Sequence, residues 1–93
     1  MTLLYRDDRF LLHRTGTHPE CPERLKSIHA MLQRTGMQNR CTLPEILPAA
    51  DADIMRVHSE HHLRNIREFA ADGGGRIEVD TVMSPESAAV ATL

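Results

Sequence analysis

Aromatic side chains are nearly missing from this 93-residue sequence, which has two Phe, one Tyr and no Trp. Any core must therefore be filled by Leu, Ile, Val, Met and Ala, and aliphatic packing is expected throughout. Cysteine is scarce as well. Cys21 and Cys41 form neither a Cys-x-x-Cys pair nor a framework of bridges, which excludes a disulfide-stapled secreted domain. No apolar run approaches the roughly 20 residues that cross a bilayer, and stretches such as Phe10 to Leu12 stop almost at once. The apolar start, Met1 to Tyr5, is interrupted by Arg6, Asp7 and Asp8, so no signal peptide is expected. A basic excess is also lacking. Eleven Lys and Arg against 13 Asp and Glu give a formal net charge of −2, with no basic face for nucleic acid. These absences lead to a cytoplasmic protein with neither nucleic acid nor membrane among its expected partners.

What is present suits a folded chain. Hydrophobic residues make up 41% and charged residues 26%, an ordinary globular balance. The length allows one small domain, residues 1–93, with a thin margin of stability. Thr2 to Tyr5 reads as a short strand, followed by a charged turn at Arg6 to Arg9. His13 to Cys21 is loop-like, broken by Gly16 and Pro19. Pro22 then suits a first helical position, and Leu25, Ile28, Met31 and Leu32 recur at helical spacing until Gly36. Cys41 to Leu47 reads as a second extended segment. Asp51 is expected to cap a short helix running to about His58, and Ser59 to cap another carrying Leu63, Ile66, Phe69 and Ala70. Gly73 to Gly75 end that helix, and Ile77 to Met83 return to an extended or irregular path around Asp80. Ser84 as cap and Pro85 behind it open a last helix, Glu86 to Leu93.

That last helix finishes on Ala-Val-Ala-Thr-Leu with no glycine or polar tail, although terminal carbonyls need partners. The expectation is an α/β chain whose sheet is incomplete, a single partial domain whose fold continues beyond Leu93.

Two stretches carry a family resemblance. His18-Pro19-Glu20-Cys21-Pro22-Glu23-Arg24-Leu25 is similar to the His-Pro-Glu-x-Pro-x-Arg segment of class II histone deacetylases. Val57-His58-Ser59-Glu60, the helix after it, the Gly73 to Gly75 turn and then Asp80-Thr81 follow in matching order and spacing. Together they resemble the N-terminal portion of the histone deacetylase family, which includes acetoin-utilisation proteins and acetylpolyamine amidohydrolases.

The resemblance implies a three-layer α/β fold of the arginase/deacetylase type, built around a parallel sheet several times longer than this chain. It implies zinc-dependent hydrolysis of an N-acetyl amide on lysine or a polyamine, the zinc polarising the acetyl oxygen and activating water. The family's Asp-x-His zinc segment and its catalytic His-His pair have no counterpart in these 93 residues, so neither catalytic residues nor a metal site is expected in this chain. What carries over is peripheral. Arg24 matches an arginine lining the internal channel that takes departing acetate, and Tyr5 is aligned with the same channel. Asp80 matches an acidic residue at the pocket rim that accepts hydrogen bonds from the substrate backbone. His18 and Pro19 match the loop that shapes the pocket wall. A structural zinc of the animal class IIa kind is not expected, because the Gly73 to Gly75 region has no Cys and Cys21 lies inside the motif.

Plainer readings stand beside these. Without the resemblance, Arg24 would be a solvated helix residue and Asp80 a turn aspartate. His58, His61 and His62 fall at spacings a zinc site can use, yet no fourth ligand completes a set, so packing and surface roles are favoured. Cys21 has no base beside it and is read as an inert thiol. The rival function is a stand-alone module that uses an unfinished apolar face to form a homodimer or to bind a longer partner; as a fragment, the chain would instead associate with the missing remainder of the domain.

Overall fold

Local signals account for most of the elements. A computed structural model describes all of residues 1–93. Helix α1, Pro22–Arg34, begins on Pro22, and Thr35 closes it with its hydroxyl donating to the Met31 carbonyl at 2.8 Å. Gly36 then takes a left-handed turn at φ 68°, a conformation that costs glycine little. Helix α2 is a single turn, Asp51–Ile54. Helix α3, Glu60–Ala71, is capped by Ser59, whose side chain accepts from the His62 N–H at 3.0 Å. An antiparallel hairpin follows, β1 Gly75–Glu78 and β2 Thr81–Met83. Helix α4, Ser87–Ala91, completes the order. No helix is long and apolar enough to cross a membrane.

Several expectations are corrected. Asp51 is the first residue of α2 and Ala50 its cap, because the Asp51 carboxylate is drawn away to Arg67 in a bidentate pair at 2.6 and 2.8 Å. The expected run to His58 ends at Ile54, and Met55 to His58 continue as turns. The charged turn at Arg6 to Arg9 is instead the entry to a 3-10 helix, Asp8–Leu12, capped by the Asp7 carboxylate. A second 3-10 helix, Met37–Arg40, follows Gly36. The expected strands at Thr2 to Tyr5 and Cys41 to Leu47 meet in one parallel bridge, Leu3 to Thr42. Helix α4 starts later than the Ser84 cap implied. Ser84 and Ser87 instead exchange bonds: the Ser87 N–H donates to the Ser84 carbonyl at 3.0 Å, and the Ser84 N–H donates to Ser87 Oγ at 2.7 Å. The last carbonyls are not left bare, since the Thr92 hydroxyl donates to the Ala89 carbonyl at 2.7 Å.

Packing is sparse. Seven of 93 residues are buried, and only Ile46, Ala70 and Met83 among them are apolar. The α1 stripe is half covered: Leu25 and Leu32 are half-buried, but Ile28 and Met31 remain exposed. The accessible surface is 6838 Å², about a quarter more than the roughly 5400 Å² of a folded monomer of this size. The radius of gyration is 15.2 Å, against about 12 Å for a compact domain of this length. The molecule is a slab of 42 × 33 × 18 Å. Such a slab presents apolar side chains that it has too little interior to cover.

Polar ties take up part of the work. Arg9 grips the Asp7 carboxylate at 2.6 Å and also donates to the Ile46 carbonyl at 2.8 Å, joining the first 3-10 helix to a segment 37 residues later. The Arg9 side chain and backbone N–H together hold the Asp7 carboxyl at about 2, below its ordinary 3.8. A carboxylate with a lowered folded-state pKa contributes stability above its unfolded value and loses it as the pH falls toward the folded one. We therefore expect an Asp7 titration midpoint near 2 by carbon-detected NMR. The stability of Asp7→Asn should fall less steeply than wild type as the pH is lowered from about 5 to 2. Equal slopes for the two proteins would show that the Arg9 contact does not stabilise the fold.

Candidate functional site

Two of the residues that the sequence singled out are brought together. His18 Nε2 lies 2.6 Å from Asp80 Oδ1 and 3.1 Å from the Asp80 backbone carbonyl, across 62 residues of chain. The other ring nitrogen, Nδ1, accepts the Glu20 N–H at 3.0 Å. An acceptor at Nδ1 leaves the proton on Nε2 in the neutral ring, so Nε2–H donates to Asp80. The His18 side chain is 19% exposed while that of Asp80 is 89% exposed. One partner is anchored in the surface and the other stands out from it.

Each partner is held locally. The buried Thr15 hydroxyl donates to the Glu20 carbonyl, closing the loop that carries His18 and Pro19. Asp80 sits at the tip of the β1–β2 hairpin, where Arg76 donates to the Val79 carbonyl at 2.8 Å. The register slips between Arg76 and Glu78, which bends the ladder just before the tip. At the base of the hairpin, Gly74 adopts φ 71° and donates its N–H to the Phe69 carbonyl at 2.9 Å. A Cβ at Gly74 would overlap the Met83 carbonyl oxygen, so the crossing of β2 over the end of α3 needs glycine there.

A polar knot lies beneath, and sequence reasoning missed it. His13 Nδ1 is 2.6 Å from Ser87 Oγ, and Ser87 Oγ is 2.9 Å from Ser84 Oγ. The Ser84 hydroxyl donates to the Leu12 carbonyl at 3.0 Å and accepts the Arg14 N–H at 3.1 Å. Ser84 and Ser87 are buried and no buried side-chain polar atom lacks a partner. The knot joins the approach to the His18 loop to the strand that returns from Asp80. The available signal is the Ser-x-x-Ser spacing of Ser84 and Ser87 after Met83, of which Ser84 alone carries a capping expectation.

The remaining candidates lie apart from this pair. Pro19 is exposed beside His18. Arg24 is exposed on α1, and Tyr5 is 59% exposed; no side-chain hydrogen bond or ion pair joins either to His18 or Asp80. Cys21 is the N-cap residue of α1 and makes no side-chain capping bond; the Glu23 carboxyl is held below its ordinary value first by its own backbone N–H and then by the nearby Cys21 thiol. His58 and His62 stack, with centroids 5.1 Å apart, and His61 pairs with Asn65. No group of three or more His, Cys, Asp or Glu side chains is placed to share a metal ion. The chain's own donors therefore do not fit a zinc centre. An apolar cleft of about 330 Å³ opens between α3 and α4, lined by Ile54, Val57, Leu63, Ile66, Ala88 and Ala91, with His58 and His62 at its wall.

Comparison with known proteins gives this geometry a context. Residues 18–93 match the family described as histone deacetylase domain. An uncharacterized protein of Synechocystis sp. is 37% identical over 97 aligned positions, covering all of this chain and 32% of that protein. A histone deacetylase-like amidohydrolase of Pseudomonas aeruginosa is 33% identical over 76 residues, 82% of this chain and 20% of that protein. The crystal structure of the HDA15 HD domain superposes with a TM-score of 0.90 at 26% identity, covering the whole chain and 28% of that structure. The chain thus spans between a fifth and a third of the length of these three proteins.

The Gly74 geometry predicts a specific cost. Gly74→Ala should destabilise the chain by about 2 kcal/mol or more, combining an unfavourable φ with overlap against backbone that cannot rotate away. Gly36→Ala, at a matching φ of 68° but with open space at its Cβ, should cost less. Denaturant midpoints for the two variants check the order; equal losses would remove the close approach as the cause.

Proposed function

Because this chain belongs to the histone deacetylase domain family, we propose that it forms the N-terminal part of a zinc-dependent amidohydrolase and carries the outer wall of its pocket. The observation that carries this reading is the His18–Asp80 contact, which joins two matched segments at one surface point. In this reading Asp80 accepts the substrate's backbone N–H, His18 and Pro19 line the entrance, and Arg24 and Tyr5 face the acetate channel once the rest of the domain is in place. The substrate is an acetylated lysine or polyamine. Zinc, when bound, polarises the acetyl carbonyl and activates water; its ligands belong to polypeptide outside these 93 residues. The poor fit of the local histidines to a metal supports that division. The exposed apolar side chains Leu3, Leu43, Leu47 and Val57 support it too, since a larger domain would cover them. Two free cysteines suit a reducing cytoplasm.

The α3–α4 cleft favours a second reading, in which the same apolar surface pairs with another copy or a partner helix. Sedimentation separates the two, since a stable homodimer of the isolated chain supports the module.

The enzymatic reading is tested by mixing the pure chain with zinc and an acetyl-lysine peptide. No turnover is expected from the chain alone. Activity should return when it is co-expressed with a related domain lacking the matching segment. Zinc-dependent turnover by the isolated chain would overturn the division of labour.

A further inference from the structure

The geometry points to a positioning role for His18: it fixes the side-chain direction of Asp80, so that one carboxylate oxygen faces outward as a directional acceptor. This inference rests on the reading of Asp80 as the rim acceptor and adds what orients it.

The argument begins with the Asp80 side chain, which at 89% exposure has no packing to choose its rotamer. An exposed carboxylate at a hairpin tip would otherwise sample its staggered wells freely. The Nε2–H of His18 bonds Oδ1 at 2.6 Å and also approaches the Asp80 backbone carbonyl at 3.1 Å. A single donor that reaches both the side-chain and the main-chain oxygen of one residue selects the rotamer that brings those oxygens to the same side. Oδ2 is then left for an incoming N–H.

The donor is itself fixed. Nδ1 accepts the Glu20 N–H at 3.0 Å, which sets the tautomer and the ring plane. Thr15 closes that loop onto Glu20. An imidazole held at both nitrogens loses little freedom on meeting Asp80, whereas a lysine or arginine would have to order a long side chain. This is the arrangement expected where acceptor direction matters more than charge. A directed acceptor suits a peptide N–H, whose bond weakens steeply off axis.

The test reads Asp80 directly in the full chain. Three-bond couplings report its χ1 distribution in wild type, His18→Ala and His18→Gln. Wild type should show one dominant rotamer, and His18→Ala an averaged one. His18→Gln, whose side-chain amide can donate from near the Nε2 position, should restore the single rotamer. Averaging in wild type, or no change in His18→Ala while the amide spectrum stays folded, would overturn the inference. A loop-stability role alone would disturb the Thr15 and Glu20 amides without the selective recovery by Gln. Titration of an acetyl-lysine peptide then examines the underlying reading separately. Shifts at Asp80 that weaken several-fold in His18→Ala support both. An ordered Asp80 that the peptide leaves unmoved keeps the positioning but rejects the rim role.

Discussion

The knot of Ser84, Ser87 and His13 is the constraint on which the rest of the surface depends. His18 and Asp80 are 62 residues apart, and the few buried apolar side chains cannot bring them together. The Ser84 hydroxyl binds the Leu12 carbonyl and the Arg14 N–H, so the chain entering the His18 loop is pinned to the strand leaving Asp80. No buried side-chain polar atom in this knot lacks a partner, and each hydrogen bond of this kind adds about 1 kcal/mol net while an orphaned one costs about 1–3. The knot thus acts mainly by specificity: any slip of the loop against the hairpin leaves buried hydroxyls unpaired.

The shortage of core sharpens that dependence. With seven buried residues and none fully enclosed, hydrophobic burial supplies little of the slab's cohesion. Arg9 bridging Asp7 and Ile46, Arg67 holding Asp51, and Arg6 reaching Gln38 at 2.6 Å fasten the slab's parts together. Exposed ion pairs are weak individually. Such fastenings set direction more than stability, and the apolar faces they leave open call for cover. The superposition with the HDA15 HD domain accounts for this, because the chain follows 28% of a larger domain's path.

How much was legible in the sequence differs with the kind of signal. Pro22, Ser59 and the Gly73 to Gly75 run act within one turn of chain, so α1, α3 and their ends read correctly. Asp51 misled because its capping chemistry was outbid by Arg67, 16 residues away, which no local pattern encodes. The hairpin has no strong local signal, because Val79 and Asp80 are not a favoured turn pair, and the Arg76 side chain bonds the Val79 carbonyl there. The matched motifs imply a pocket rim for Asp80 and a pocket wall for His18, and no bond between the two. The tautomer chain through Glu20 could be seen only once the loop had a shape. Ser84 and Ser87 were hidden because serine at a helix start has an adequate local explanation.

These differences bear on how a pocket wall can be built from a region without a core. A metal centre needs several rigid ligands and tolerates little misplacement. A rim needs one acceptor facing the right way, a demand that a loop and a hairpin can meet if their contact is polar and directional. In the proposed reading His18 and Asp80 would meet it, with one anchored partner and one projecting partner. The slab's thin packing then has little consequence at the rim itself, because the orientation is set by three bonds made at His18 and not by surrounding bulk. What the slab cannot do alone is exclude water, and chemistry on an amide depends on that as much as on the ligands. Recognition at the edge and reaction at the centre thus place different physical demands on a domain, and the proposed reading assigns these 93 residues the first.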